Sequence, residues 1–132
     1  MRFATPALLV VLALAGCGQS DDLATVRAVT ERFYNAYDAK QGAVACSTIA
    51  SETRKQLESE ESEPCPDAVG SLEVSGGPIL KVAVQMTNAK VDLASGESVF
   101  LSEEQPGWRI TALGCRPTKT PTDTPFDCEL EG

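Results

Sequence analysis

The chain opens with an apolar stretch that never alternates. From Ala4 to Ala15 only Thr5 and Pro6 interrupt it; no acid occurs in it, and one base, Arg2, precedes it. About 20 apolar residues are needed to cross a bilayer, so this run is too short to span one and has the length of a signal-peptide hydrophobic region. A helix buried in a core would carry a polar face, and this run has none. Beyond it the pattern becomes periodic. In "DDLATVRAVTERFYNAYDA", residues 21–39, Leu23, Val26, Val29, Phe33 and Tyr37 recur every three or four positions, which predicts an amphipathic helix. Ser20 or Asp21 can cap its start, and Gly42 is expected to stop it. Residues 43–50 predict a second helical piece carrying Val44, Cys46 and Ile49. Ser51 can cap a third, "ETRKQLESE", with Leu57 inward, and Cys65 and Pro66 open a helical turn through Ala68, Val69 and Leu72.

After Gly76, Gly77 and Pro78 the period falls to two. "ILKVAVQM" places Leu80, Val82, Val84 and Met86 on one face, and "NAKVDLA" sets Ala89, Val91 and Leu93 against Lys90 and Asp92. "ASGES" turns the chain. "SVFLSEE" puts Val99 and Leu101 on one side and Phe100 on the other. "QPG" turns it again, and "WRITALGC" alternates Trp108, Ile110 and Ala112 against Arg109, Thr111 and Leu113. Short strands joined by tight turns predict an antiparallel meander. The expected fold is therefore α+β: N-terminal helices packed on a curved antiparallel sheet of three to four strands. The tail "RPTKTPTDTPFDCELEG" is rich in proline and has no period, so it needs an external constraint.

Composition narrows the function. The 132-residue chain has 11 basic and 19 acidic residues, a net charge of −8, and no histidine. No basic patch is available to neutralise phosphates, which argues against a nucleic-acid partner. An acidic domain is also repelled by anionic headgroups. Without histidine, Ser-His-Asp and Cys-His catalysis are impossible, and the commonest neutral metal ligand is missing.

Five cysteines leave one over when the rest pair. The odd one, Cys17, ends "LAGC", residues 14–17, directly after the apolar run. These four positions resemble the bacterial lipoprotein signal, the lipobox. The resemblance implies that Cys17 receives a diacylglyceryl group and, after cleavage, becomes the first residue of the mature, exported protein. Residues 1–16 are then signal peptide, 17–22 a short tether, and 23–132 a single α+β domain. Cleavage removes Arg2 and makes the domain one charge more acidic. Two acyl chains anchor firmly where one would not, at about 0.8 kcal/mol per buried CH₂. The polar "GQSDD" that follows is expected to be flexible and to reach at most about 18 Å. The partner this implies is the membrane, through lipid on Cys17, at its extracytoplasmic face.

The other four, Cys46, Cys65, Cys115 and Cys128, read as a disulfide framework in an exported chain. Pairing 46 with 65 and 115 with 128 closes two local loops, each worth roughly 3 kcal/mol by the chain-entropy argument. The alternative, 46 with 115, would staple helices to sheet. A Cys₄ zinc site fits poorly, because no two cysteines are as close as C-x₂-C. No cofactor is implied.

"ERFYNAYDAKQGAVAC" (31–46), the 46 and 65 cysteines and "GWRITALGCRP…PFDCEL" (107–130) resemble small exported lipoproteins of actinobacteria that look like reduced members of the nuclear-transport-factor-two-like superfamily. That likeness implies a cone of sheet closed by helices, often with an internal pocket. The chain departs from the superfamily in having no strand between its early helices. Phe33, Tyr37, Phe100 and Trp108 are the residues that could line such a pocket; core packing is their plainer reading. Tyr34, Tyr37, Asp38 and Arg109 could supply acid–base chemistry if buried together. "ESEESEP", residues 58–64, gathers acids but lacks the glycine-punctuated loop of a calcium site, and reads as a solvated face. The expectation is a lipid-anchored, non-enzymatic interaction module facing an envelope protein, with a small-ligand binder as the alternative.

Overall fold

The computed structural model describes residues 18–105, 107–119 and 124–132. The expected signal peptide and lipidation site, residues 1–17, lie outside the described residues, as does Pro106 of the expected "QPG" turn. Four helices come first: α1 (Gln19–Asp38), α2 (Gly42–Ser47), α3 (Ser51–Glu61) and α4 (Cys65–Ala68), the last continued by a 3₁₀ turn at Val69–Ser71. Then come β1 (Ile79–Gln85), β2 (Asn88–Leu93), β3 (Ser98–Glu104) and β4 (Gly107–Pro117), followed by two short strands, β5 (Phe126–Asp127) and β6 (Leu130–Glu131). All pairings between these strands are antiparallel; β1 to β4 form the expected meander, and β5 and β6 double back on β4.

The helix stripe is where its spacing put it. Val26 and Phe33 are fully buried, and Val29 and Tyr37 pack at the margin of the same core. The ends of α1 differ from expectation. The helix begins at Gln19 with Gly18 as its N-cap and no side-chain cap, so Ser20 and Asp21 are helical. The "GQSDD" tether is thus helix from its second residue. At the other end Lys40, not Gly42, adopts the left-handed conformation, at φ 56°. Lys40 N–H donates to the Tyr37 carbonyl and Gln41 N–H to that of Ala36, the paired bonds of a Schellman stop. Gly42 instead opens α2, where a Cβ would lie 1.9 Å from the Pro66 carbonyl oxygen. Its lack of a side chain lets α2 approach α4, and Cys46 on one reaches Cys65 on the other. Ser51 is the first residue of α3 rather than its cap; Ala50 holds that position.

Helix α2 also stops short of residue 50. Thr48–Ala50 run beside β4: Ala50 N–H donates to the Ile110 carbonyl and Ile110 N–H to that of Thr48, both at 2.8 Å. The early helices are thus separated by a single parallel bridge that the helical spacing of Val44, Cys46 and Ile49 concealed.

Inward alternation holds in β2, where Ala89, Val91 and Leu93 are buried. It fails in β1 and β4, at bulges. A register shift between Ile79 and Lys81 turns Ile79, Val82 and Val84 toward the core and leaves Leu80 69% exposed. Met86 is not in the strand; it sits in the β1–β2 turn. Register shifts against β3 let Leu113 join Ile110 inside β4, both fully buried. Gly114 follows at φ 63°, packed so closely on Glu129 that a Cβ would come within 2.8 Å of that residue's own Cβ.

Two disulfides close the local loops, Cys46–Cys65 and Cys115–Cys128. The second pins the tail along β4, where Leu130 pairs with Leu113 and is buried. The molecule has two distinguishable poles. Glu103 N–H donates to the Thr87 carbonyl, so the β1–β2 and β3–β4 turns adjoin. The start of α1 joins the same pole through Asp22, which accepts the Trp108 indole N–H at 3.0 Å. The β2–β3 turn and the C-terminal end of α1, where the Tyr34 ring lies against Gly76, form the opposite pole.

Candidate functional site

The four residues expected to line a pocket do not meet in one cavity. Phe33 is fully buried, stacked on Tyr37 at 6.0 Å and edge-on to Tyr34 at 5.1 Å. The Tyr37 hydroxyl donates to the Leu72 carbonyl and ties α1 to the 3₁₀ turn. Trp108 is 2% exposed and committed to Asp22. Phe100, opposite in strand parity to Val99 and Leu101, stands on the outer face of the sheet against Phe126 at 5.1 Å. The space between helices and sheet is filled: Ile49, Leu57, Leu93, Leu101, Ile110 and Leu130 occupy it with 2% exposure or less. These four aromatic side chains serve three separate contacts.

The concave surfaces lie outside this core. A cleft of about 720 Å³ opens at the C-terminal end of α1, against α4. Tyr37, Pro66 and Val69 give it apolar walls; Asp38, Glu63 and Asp67 make its rim acidic, with Lys40 the one cation in the lining. Its existence follows from the helix stop at Lys40 and the close α2–α4 approach at Gly42, neither of which is visible in hydrophobic periodicity. A second hollow, of about 330 Å³, lies between the outer sheet face and the tail. Phe100, Phe126 and Pro125 line it, with Asn88, Thr111 and Glu131 as polar neighbours. The Lys90 ammonium sits 5.1 Å from the Phe126 ring and 2.9 Å from Asp92.

Of the acid–base candidates, Tyr34, Tyr37 and Asp38 neighbour one another at the C-terminal end of α1, and Arg109 stands apart on β4. Asp38 is exposed. An Arg109 guanidinium N–H donates to the Trp108 carbonyl at 2.8 Å. Tyr34 is buried, and its hydroxyl has no hydrogen-bond partner among the described residues. Burial holds its proton well above the usual tyrosine range, and the Glu97 carboxylate adds to that. Glu97 is the polar residue the sequence reading missed: it is 5% exposed, accepts the Ser75 N–H at 2.9 Å and pairs with Arg116 at 3.3 Å. Nothing in "ASGES" distinguishes this acid from an ordinary turn residue, because its partners come from residues 75 and 116.

The acidic run 58–63 is partly used within the fold. Glu58 accepts the Cys65 N–H at the start of α4, and Glu60 accepts the Gln56 amide. Among the described residues no group of three or more metal-ligating side chains converges, and no helix is long and apolar enough to cross a membrane. Compared with protein-family models, curated proteins and solved structures, the chain has no match.

Proposed function

We propose that this protein is an exported, lipid-anchored interaction module of the cell envelope. Acyl chains on Cys17 hold it at the extracytoplasmic face of the membrane, and a second envelope protein is its partner. The reading rests on "LAGC" at 14–17 together with one geometric observation: α1 starts at Gln19 and runs 20 residues to the large cleft. A helix of that length spans about 30 Å. The cleft therefore stands a full helix length from the anchored end, opening where a neighbour can reach it. Its acidic rim suits a basic segment, and Tyr37 and Val69 offer apolar contact for the stem of a lysine or arginine.

An interaction role is supported further by the filled interior and by the distance of Arg109, on β4, from Tyr34 and Asp38 on α1. Amine-directed crosslinking on intact cells, followed by mass spectrometry, tests it. One saturable partner attached through Lys40, on the cleft rim, is the expected result. Loss of that product in an Asp38→Lys, Asp67→Lys variant would place the contact at the cleft; no product above background would remove the interaction reading.

A second reading has its own observation, the hollow between Phe100 and Phe126. Its size is at the small end for ligand pockets, about 300–1,000 Å³. A small planar apolar molecule would fit it, and Phe126→Ala should then abolish ligand-induced thermal stabilisation.

A further inference from the structure

Among the described residues three non-glycine residues have positive φ: Lys40, Ser62 and Met86. The first two end helices, where a left-handed residue closes the last turn. Met86 is different. Gln85 pairs with Asn88, so Met86 is the first residue of a two-residue hairpin loop, at φ 56°. Glycine, asparagine or aspartate normally fill such a position. Met86 is also 87% exposed, the most exposed large apolar side chain among the described residues. An apolar residue in a strained turn, with nothing of the fold packed on it, departs from local preference twice over.

Its position gives the departure a meaning. The β1–β2 turn shares its pole with the β3–β4 turn and the start of α1. Strands lie about 4.8 Å apart, so Met86 stands roughly 12 Å across the sheet from Trp108 and the root of α1. Only Cys17 and Gly18 separate the acyl site from the helix, about 7 Å of chain. A bilayer holding the acyl chains must therefore face this pole. Asp21, Glu103 and Glu104 are exposed there as well, so the surface it fits is zwitterionic rather than anionic.

We propose that the Met86 turn is a second, lipid-facing contact, seated in the interfacial region of the membrane that carries the Cys17 acyl chains. The inference rests on the lipid anchor argued above. One shallow apolar side chain adds little affinity beside two acyl chains. Its effect is orientation: two points of contact hold α1 upright and keep the far cleft turned away from the membrane.

The sequence supplies an unusually direct probe. It has two methionines, Met1 in the signal and Met86, so the mature protein carries one. The lipidated full-length product is reconstituted in phosphatidylcholine vesicles and floated, and Met86 sulfoxide formation by chloramine-T is followed by mass. Expected is oxidation slower by roughly five-fold or more than in the soluble Cys17→Ser protein. A methionine introduced at the opposite pole, Ala94→Met, should oxidise at the same rate in both forms. Adding anionic lipid at low salt should reduce the Met86 protection, and about 0.1 M salt should restore it. If the protein floats and Met86 oxidises at the soluble rate, the turn does not touch lipid and the proposal fails while the anchor stands. If the protein does not float, the anchor fails and takes the proposal with it.

Discussion

Trp108 joins three functions in one side chain. It stands second in β4, fills the core beside α1, and donates its indole N–H to the Asp22 carboxylate. A hydrogen bond to a charged group contributes about 1.5–3 kcal/mol, and loss of ring volume adds to that. Trp108→Phe should thus cost about 2–4 kcal/mol in urea unfolding, whereas Asp22→Asn, which keeps an acceptor, should cost less. Asp92 offers a smaller effect with a defined pH signature. Hydrogen bonds from Lys90 and then Ser98 hold its carboxyl below the usual aspartate value of 3.8, against some desolvation. Because the folded pKa is the lower one, the contribution is complete above 3.8 and disappears as pH falls through the folded value. The group is a third exposed, so the effect is small. The stability difference between wild type and Asp92→Asn should be constant near neutral pH and shrink in acid below that value.

Among the elements, the short helices depend on one another more than on their own propensity. Helices of four to eleven residues are marginal alone. The Cys46–Cys65 bridge, spanning 19 residues, ties α2 to α4 and encloses α3. Replacing both cysteines by alanine should cost about 3 kcal/mol and lower the denaturation midpoint, with the helices losing amide protection before the meander. Gly42→Ala tests the same junction without touching sulfur. The added methyl would overlap the Pro66 carbonyl, a backbone atom that cannot swing aside. A loss of about 1–3 kcal/mol is expected. An unchanged midpoint would mean that α2 and α4 can separate freely.

For the whole molecule, the helix start at Gln19 matters more than any single cleft. A flexible tether would let the domain tumble; a helix begun two residues after the proposed anchor would make its orientation a property of the fold. Cys17→Ser should release the protein from the membrane fraction and remove the acyl mass from its N-terminal peptide. Its unfolding midpoint should stay unchanged, since the core lies beyond residue 22. Retention in the membrane fraction at unaltered mass would overturn the lipobox reading.

Much of this was legible in the chain. Val26, Phe33 and Leu57 were placed inward by helical spacing, Ala89, Val91 and Leu93 by alternation, and both disulfides by the short loops they close. All of these depend on residues near one another in sequence, where periodicity and chain entropy act directly. What tertiary structure alone decided involves distant partners. Leu113 turns inward because β4 bulges against β3, and the chain leaves its helix around Ile49 so that Thr48 and Ala50 bond Ile110 of β4. Gly42 serves a neighbour 24 positions away rather than the helix before it, and Glu97 is buried by groups from residues 75 and 116. Phe100 and Trp108 share an aromatic character but face opposite sides of one sheet. A single residue's shift in register moves a side chain from core to solvent, and that register is set across strands.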